Sequence, residues 1–162
     1  MQSPAHILVR EAKDEDAKLM ADLTRAAWAN KVAVTSSGHR ETTVHVAQQL
    51  HDGGGFVLLV DGQAAGSVRW HALDEEPDTW EILRMGVLPQ YRGSNLSQHL
   101  VEAVIHHALT CEVRELRLAV RHDQPRLLDL YSTYDFEVAP ELEYSDANPM
   151  EPRPTVMRRK IR

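Results

Sequence analysis

The chain has 162 residues, of which 43% are hydrophobic and 26% charged, and its net charge is −6. These values are typical of one globular domain, so we treat residues 1–162 as a single domain and exclude disordered, collagen-like and coiled-coil chains. The negative net charge argues against general nucleic-acid binding, which depends on neutralising phosphates. We therefore expect no nucleic-acid partner.

The number of cysteines and the length of the apolar runs indicate the compartment in which we expect the protein. Cys111 is the only cysteine, so no intrachain disulfide can form. The longest apolar runs, such as residues 56–60, are too short to cross a bilayer, and the N-terminus lacks the basic-then-apolar pattern of a secretory signal. We expect a cytoplasmic protein that is not bound to a membrane.

Hydrophobic spacing predicts an alternation of strands and helices. In chain order the pattern predicts a strand (6–10), a helix from 14, a loop (30–41), a helix (42–51), strands (56–60, 64–70 and 79–88), a helix (94–109), a strand (116–120), a short helix from 125 and two last strands (136–142 and 155–161). Gly53–Gly55 is expected to end the second helix. Asp61-Gly62, between two apolar runs, predicts a tight hairpin. This order favours an α/β fold in which helices pack on the faces of a mixed sheet.

The junction between the third sheet strand and the long helix is the segment that best suits chemistry. The strand ends at a proline, and a short loop of small residues opens directly into the helix. Such a junction presents unpaired N–H groups and the positive end of the helix dipole, which together bind anions. Gly93, Ser94 and Ser97 are small, and Arg92 adds a positive charge. An ordinary turn with a surface arginine explains these residues equally well.

Two motifs identify a family that the chain resembles. The run from Val87 to Gly93 (VLPQYRG), followed by a helix, resembles the acetyl-CoA-binding motif of the GNAT superfamily of N-acetyltransferases. The run from Leu130 to Phe136 (LYSTYDF) is similar to that family's LYxxxGF motif, and the order of elements matches over nearly the whole chain. The resemblance implies a GNAT-like fold, with a central mixed six- to seven-stranded sheet, helices on both faces, and splayed parallel strands around residues 80–87 and 115–121.

The chain departs from the family pattern at a few positions. Asn95 and Ser97 take the places of two small residues in the loop, Asp135 replaces a glycine, and Gln124 stands where asparagine is common. Asparagine tolerates left-handed backbone better than other non-glycine residues, so we expect the loop to keep its shape.

The resemblance also implies a cosubstrate, acetyl-CoA, and the spacing of the histidines gives no reason to expect a metal. Backbone groups of Met85, Gly86 and Val87 would bond the pantetheine arm, although a bulge without a ligand would also explain a glycine in this strand. The positions that the resemblance assigns to the rest of the cofactor are Arg92, Gly93, Ser94, Asn95, Leu96, Ser97 and Gln124. His99, His106 and His107 share a helix, but their spacing is too wide for one metal ion.

For catalysis the resemblance assigns Tyr131 as the acid that protonates the departing thiolate. An aromatic residue that packs a helix onto the sheet is the alternative reading of Tyr131. Glu81 stands where some family members place a base that acts through water, and a solvated edge acid is equally consistent with its sequence context. His122, just after the fifth predicted strand, is a second candidate for the base.

These features imply an N-acetyltransferase that acts by direct attack of a primary amine, from a small molecule or peptide, in a ternary complex. The alternative is a non-catalytic module that senses CoA or an acyl-CoA, and the size of the acyl group is open. In the family, the acceptor site is built from segments that here contain Trp28, Thr35, Ser36, His39, Glu41, Glu141, Glu143 and Tyr144. Acids there would attract a cationic amine. The sequence does not fix the oligomeric state; a homodimer is the candidate assembly, because dimers are the commonest assembly of soluble proteins.

Overall fold

A seven-stranded mixed sheet forms the centre of the computed structural model, which describes residues 4–29, 37–145 and 147–161. The strands are β1 (Ile7–Glu11), β2 (Gly53–Val60), β3 (Gln63–Ala72), β4 (Thr79–Val87), β5 (Glu115–Val120), β6 (Glu137–Val138) and β7 (Thr155–Lys160), and the helices are α1 (Ala17–Trp28), α2 (Thr43–Asp52), α3 (Ser97–Thr110) and α4 (Arg126–Ser132). The strands lie in the order β1-β2-β3-β4-β5-β7-β6. This arrangement confirms the predicted mixed sheet. Within the described residues, no helix is long and apolar enough to cross a membrane.

The two faces of the sheet carry separate hydrophobic clusters, because successive side chains of a strand point to opposite faces. On β2, Val57 packs with residues of α1 and α2 such as Met20. Its neighbour Leu58 packs with residues of α3 such as Leu100 on the other face. Helices therefore cover both faces of the sheet, as predicted.

The strands β4 and β5 are parallel neighbours that separate after a short paired stretch. Thr79–Glu81 pairs with Glu115–Arg117, and within the described residues the pairing ends there. Beyond this point β4 pairs only with β3, and β5 only with β7. The predicted splayed parallel strands are thus confirmed, and they leave a wedge-shaped opening within the sheet.

Several predicted boundaries are wrong for local reasons. The second helix does end at Gly53, as predicted, but the strand predicted from residue 56 already begins there, because Gly53–Gly55 forms the start of β2. It pairs with the end of β3, and a Cβ at Gly54 would overlap the indole of Trp70. The helix predicted from residue 94 begins at Ser97, because Gly93 and Asn95 have positive φ angles. The strand predicted over 136–142 is reduced to the two residues of β6.

Two other local predictions have clear outcomes. Asp61 and Gly62 have φ angles of 50° and 82°, which confirms the predicted hairpin turn between β2 and β3. Part of the predicted loop over 30–41, residues 30–36, lies outside the described residues. Its last residues, Ser37–Arg40, form a turn of 3-10 helix.

A buried carboxylate links this 3-10 turn and α2 to the middle of the sheet. Glu41 accepts hydrogen bonds from Arg69 Nη1 on β3 at 3.1 Å and from Arg84 Nε on β4 at 3.0 Å. Arg69 is 0% exposed, and it also donates to Gln49 Oε1 on α2. Burial alone would raise the pKa of Glu41, but the hydrogen bond from Arg69 and the charges of Arg69, Arg84 and His45 hold that pKa below its usual value. Glu41 is therefore the counter-ion of a guanidinium that has no access to water.

Replacing Glu41 with glutamine should lower the free energy of unfolding by about 3 kcal/mol at pH 7, because Arg69 would be left buried without a counter-ion. Since folding lowers the pKa of Glu41, its contribution is complete above pH 4.5 and is lost as the pH falls further. The difference between E41Q and the wild type should therefore shrink in acid. Urea denaturation at several pH values measures both effects.

The matched control is Glu143→Gln, whose side chain is 80% exposed and pairs with Arg153 at the surface. This change should cost less than about 1 kcal/mol. Equal losses in the two variants would contradict the role assigned to Glu41.

Candidate functional site

A cavity of about 140 Å³ occupies the opening between β4 and β5. Strand residues on its walls are Ile82, Arg84, Met85, Leu118 and Ala119, and α4 adds Leu127 and Tyr131. The remaining wall residues are Trp28 and Ser37 near the end of α1, Arg121 and His122 after β5, and Tyr144, Ala147, Asn148, Glu151, Pro152 and Pro154. The cavity is thus bounded by both separated strands, by the helix after β5 and by the segment before β7.

A bulge in β4 shapes one wall of this cavity. The register with β3 shifts between Ser67 and Arg69, and Arg84 has a φ of 52°. Left-handed backbone is costly for a residue with a side chain, so the surrounding structure must impose it. The predicted bulge near Gly86 is therefore present. The sequence pattern predicts neither the left-handed backbone of Arg84 nor its position at the cavity. The one available signal is the presence of an arginine within an apolar run.

Met85, Gly86 and Val87 complete this end of β4 and differ in their surroundings. Met85 lines the cavity, whereas the side chain of Val87 is buried in the core. A Cβ at Gly86 would lie 2.8 Å from Cζ3 of Trp28, so the glycine allows α1 to approach the strand closely. The close approach predicted at Gly86 is thus to a neighbouring helix.

The loop before α3 carries small or exposed residues up to the start of that helix. Gly93 and Asn95 have φ angles of 91° and 54°, so the prediction that Asn95 tolerates a left-handed backbone is confirmed. Leu96 is buried and anchors the loop, whereas Gly93, Ser94 and Asn95 are exposed. No side chain caps the helix, and its first turn contains no acidic residue. Gln98 and His99 donate their backbone N–H groups to the carbonyl oxygens of Asn95 and Leu96, at 3.3 and 3.1 Å. An anion would therefore bind to the N–H groups of the preceding loop, near the positive end of the helix dipole.

Two arginines add positive charge near this loop. Arg92 Nη2 donates a hydrogen bond to the carbonyl oxygen of Ala27 at 2.6 Å, which fixes the guanidinium beside the end of α1. Burial, with a smaller effect of the Arg126 charge, lowers the pKa of Arg92. In the described part of the chain, neither arginine forms an ion pair. A bound phosphate group would relieve their mutual repulsion.

Tyr131 lies on α4 at the wall of the cavity and is 7% exposed. Burial raises the pKa of its phenol, so the group stays protonated throughout the physiological range. Its ring packs edge-on against Phe136, with 6.1 Å between the ring centroids. Asp135 has a φ of 65°, so it adopts the backbone conformation that glycine favours at this point of the motif. Tyr131 therefore both packs α4 onto the sheet and reaches the cavity.

Glu81 is placed apart from this group. It is 2% exposed, so the reading of a solvated edge acid is wrong, and it does not line the cavity. Its carboxylate lies 2.8 Å from His71 Nε2 and accepts hydrogen bonds from the backbone N–H and the hydroxyl of Ser145. Burial alone would raise the pKa of Glu81, but the hydrogen bonds from His71 and Ser145 lower it. The structure thus places Tyr131 on the cavity wall and Glu81 outside it.

His122 and Gln124, both in the turn after β5, differ in their access to the cavity. His122 lines it together with Tyr131, and His122 Nδ1 lies 3.9 Å from Glu151 Oε2. Gln124 is buried and is absent from the cavity wall; its backbone N–H donates to the carbonyl oxygen of Arg121 at 3.0 Å. Of the two residues considered as a base, the structure places His122 in the cavity.

The residues expected at an acceptor site also differ in whether they line the cavity. Trp28 and Tyr144 line the cavity, whereas Thr35 and Ser36 lie outside the described residues. His39 and Glu41 are absent from its wall, and so are Glu141 and Glu143, which pair with Arg158 and Arg153. The carboxylate of Glu41 is occupied by Arg69 and Arg84. The expected attraction of a cationic amine by these acids therefore finds no support at the cavity.

Comparisons with known proteins give one family and one fold. The model of the acetyltransferase (GNAT) family matches residues 17–136. No protein with curated annotation shows significant sequence similarity to the chain. The family match confirms the resemblance carried by the two sequence motifs.

Solved structures similar to this one are described as acetyltransferases or contain the cofactor. The PaiA N-acetyltransferase of Thermoplasma acidophilum in complex with coenzyme A has a TM-score of 0.75 and 16% identity, with 96% of this chain and 99% of that chain covered. The ribosomal-protein-S18-alanine N-acetyltransferase of Escherichia coli has a TM-score of 0.72 and 18% identity, covering 96% of this chain and 94% of that one. YncA from Salmonella typhimurium, with its cofactor acetyl-CoA, has a TM-score of 0.73 and 16% identity, covering 97% and 95%. At these identities the likeness shows the shared fold.

The left-handed backbone at residue 95 makes a prediction about the loop. Asn95→Ala should lower the free energy of unfolding by about 1 kcal/mol, because alanine is disfavoured at positive φ. Asn95→Gly is the matched control and should differ from the wild type by less than about 0.5 kcal/mol, since glycine adopts this conformation freely. Urea denaturation of the three proteins measures the difference. If alanine were tolerated as well as glycine, the conformation assigned to Asn95 would be wrong.

Proposed function

The chain belongs to the acetyltransferase (GNAT) family, and from this premise we propose that it transfers an acetyl group from acetyl-CoA to a primary amine of a small molecule or peptide. The observation that carries the proposal is the cavity between β4 and β5, where Tyr131 faces the separated strands. Bound acetyl-CoA supplies an activated thioester. The chain's residues bind and orient the reactants and move two protons. The cytoplasmic location stays a prediction.

Two regions of the chain suit the cosubstrate. The loop from Arg92 to Ser97, at the start of α3, would hold the diphosphate through backbone N–H groups, the helix dipole and the Arg92 charge. Among the residues that the structure describes, the end of β4 has no partner strand on its β5 side, so backbone groups of Met85, Gly86 and Val87 are open there to bond the pantetheine arm. Gln124 is proposed as a further contact near α4. These placements combine the family motif with the open backbone that the fold leaves.

Tyr131 is proposed as the acid. When the neutral amine nitrogen bonds to the thioester carbon, the carbon–sulfur bond breaks and the thiolate needs a proton. The raised pKa of Tyr131 keeps its proton in place until that charge develops. Tyr131 gives this proton to sulfur and regains one from solvent. The cavity position of the ring supports this role over packing alone.

The base takes the proton that the amine loses. We favour His122, because its imidazole lines the same cavity as Tyr131 and is partly open to solvent. Glu81 would need a path from its enclosed position through His71 or Ser145. We therefore consider Glu81 a weaker candidate for the base than the sequence alone suggested.

The alternative of a CoA-sensing module started from Asn95, Ser97 and Asp135, which replace small residues of the family motif. Asn95 and Asp135 adopt positive φ angles, and Ser97 is the first residue of α3. Because the backbone accommodates all three residues, they offer no structural argument for a loss of catalysis. We therefore keep the transferase as the proposed function.

Tyr131→Phe tests the proposed reaction. Removal of the proton donor should lower kcat about 100-fold and leave the KM for acetyl-CoA within about threefold, since the ring still packs in place. The assay measures release of free thiol with amines drawn from a panel of amino acids, polyamines and short peptides.

The control is Tyr134→Phe, which removes a neighbouring hydroxyl that donates to Gln98 Oε1 at 3.4 Å outside the cavity. Its kcat should stay within about threefold of the wild type. An unchanged rate in Y131F would remove Tyr131 from the mechanism. Binding of acetyl-CoA with no amine acetylated would instead favour the sensor.

A further inference from the structure

The charged residues at the cavity are divided between two opposite walls. On the β4 side, the guanidiniums of Arg69 and Arg84 share the single carboxylate of Glu41. This cluster therefore has a net charge of one positive unit when its neighbour His45 is neutral. Arg69 is enclosed, so only Arg84 brings this excess charge to the cavity.

Arg84 has donors left for a ligand. Its Nε atom is engaged by Glu41, its side chain is 17% exposed, and in the described part of the chain its terminal nitrogens have no acceptor. Two terminal nitrogens on one rigid plane match the two oxygens of a carboxylate. The left-handed backbone of Arg84 is a further sign, because strained residues are concentrated at ligand clamps.

A second donor on the same side of the cavity also lacks an acceptor. Trp28 lines the cavity, and its indole Nε1–H is buried without a hydrogen-bond partner among the described residues. Buried donors are nearly always paired in native proteins, so an orphan beside a cavity suits a ligand with oxygen acceptors. The wall formed by Arg84 and Trp28 thus offers donors only.

The opposite wall contains a carboxylate. Glu151 lines the cavity there, pairs with Arg121 and lies beside His122. A carboxylate has several acceptor positions, so Glu151 can also accept a hydrogen bond from an amino group that approaches as a cation.

We propose that the acceptor is an amino acid or a similar small amine with a carboxylate, bound with its carboxylate on Arg84 and its amino group towards His122 and Glu151. This inference rests on the proposed acetyl transfer and names the class of acceptor for it. A polyamine would place a second positive charge against Arg84. A peptide N-terminus has no carboxylate close to its amine.

The first experiment measures binding without turnover. Saturation-transfer NMR of the protein with CoA compares the L-amino acids, as a mixture, with the matching carboxamides. We expect signal from at least one amino acid and at least tenfold weaker binding of its carboxamide, because a charged hydrogen bond is lost. No binding by any amino acid, or equal binding of acid and amide, would overturn the proposal.

The second experiment measures acetyl transfer, as kcat/KM, with the amino acid that binds and with its carboxamide. Arg84→Gln should lower the value for the amino acid about 10- to 100-fold and leave the carboxamide within about threefold. Arg84→Lys keeps the charge and should recover part of the loss. Arg114→Gln, an exposed arginine at the start of β5, is the matched control and should change neither value.

These readouts distinguish a failure of the proposed acetyl transfer from a failure of the proposed carboxylate site. Selective binding of an amino acid without transfer would contradict the proposed function but support the carboxylate site. Transfer to amines with no preference for a carboxylate would support the proposed function and overturn this inference. The acetyl-CoA affinity of each variant shows whether the fold is kept. If Arg84→Gln fails to fold, the carboxylate site is tested by Arg84→Lys and by the comparison of acid with amide in the wild type.

Discussion

The carboxylate of Glu41 is the interaction on which the arrangement of this cavity depends. It lies between α1, α2 and the sheet, and it joins Arg69 of β3 to Arg84 of the β4 bulge. Buried ion pairs add little net stability compared with apolar packing, but the loss of one partner is costly. Glu41 therefore acts mainly by fixing where Arg84 lies. The bulge is held at the point where β4 has already left β5.

The opening between β4 and β5 lacks the hydrogen bonds that a continuous sheet would form there. The loss is tolerable because each strand keeps a partner on its other side, β3 for β4 and β7 for β5. The unpaired backbone then faces a cavity whose walls contain Tyr131, His122 and Arg84. One departure from regular pairing thus creates the opening in which we propose that an extended ligand arm and the acceptor bind.

Local features of the fold and of the site were predictable from the sequence, and features that depend on distant contacts were not. The Asp61-Gly62 turn and the left-handed Asn95 follow from the chemistry of single residues, and both are present. The position of Gly53–Gly55 in β2 depends on Trp70, and the enclosure of Glu81 depends on Ser145, which is far along the chain. The bulge at Arg84 depends on register with β3 and has no local sequence pattern. The sequence correctly predicted that Tyr131 lies on the short helix after β5, but only the fold shows that it shares a cavity with His122.

Calorimetric titration with acetyl-CoA, on the wild type and on Arg92→Ala, tests the central claim most directly. The claim is that the loop before α3 and the separated strands form a site for this cosubstrate. It predicts binding at micromolar concentrations in the wild type and an affinity about 10-fold lower without Arg92, because a charge-assisted contact to phosphate is removed. No binding at millimolar acetyl-CoA, or equal affinities for the two proteins, would contradict it.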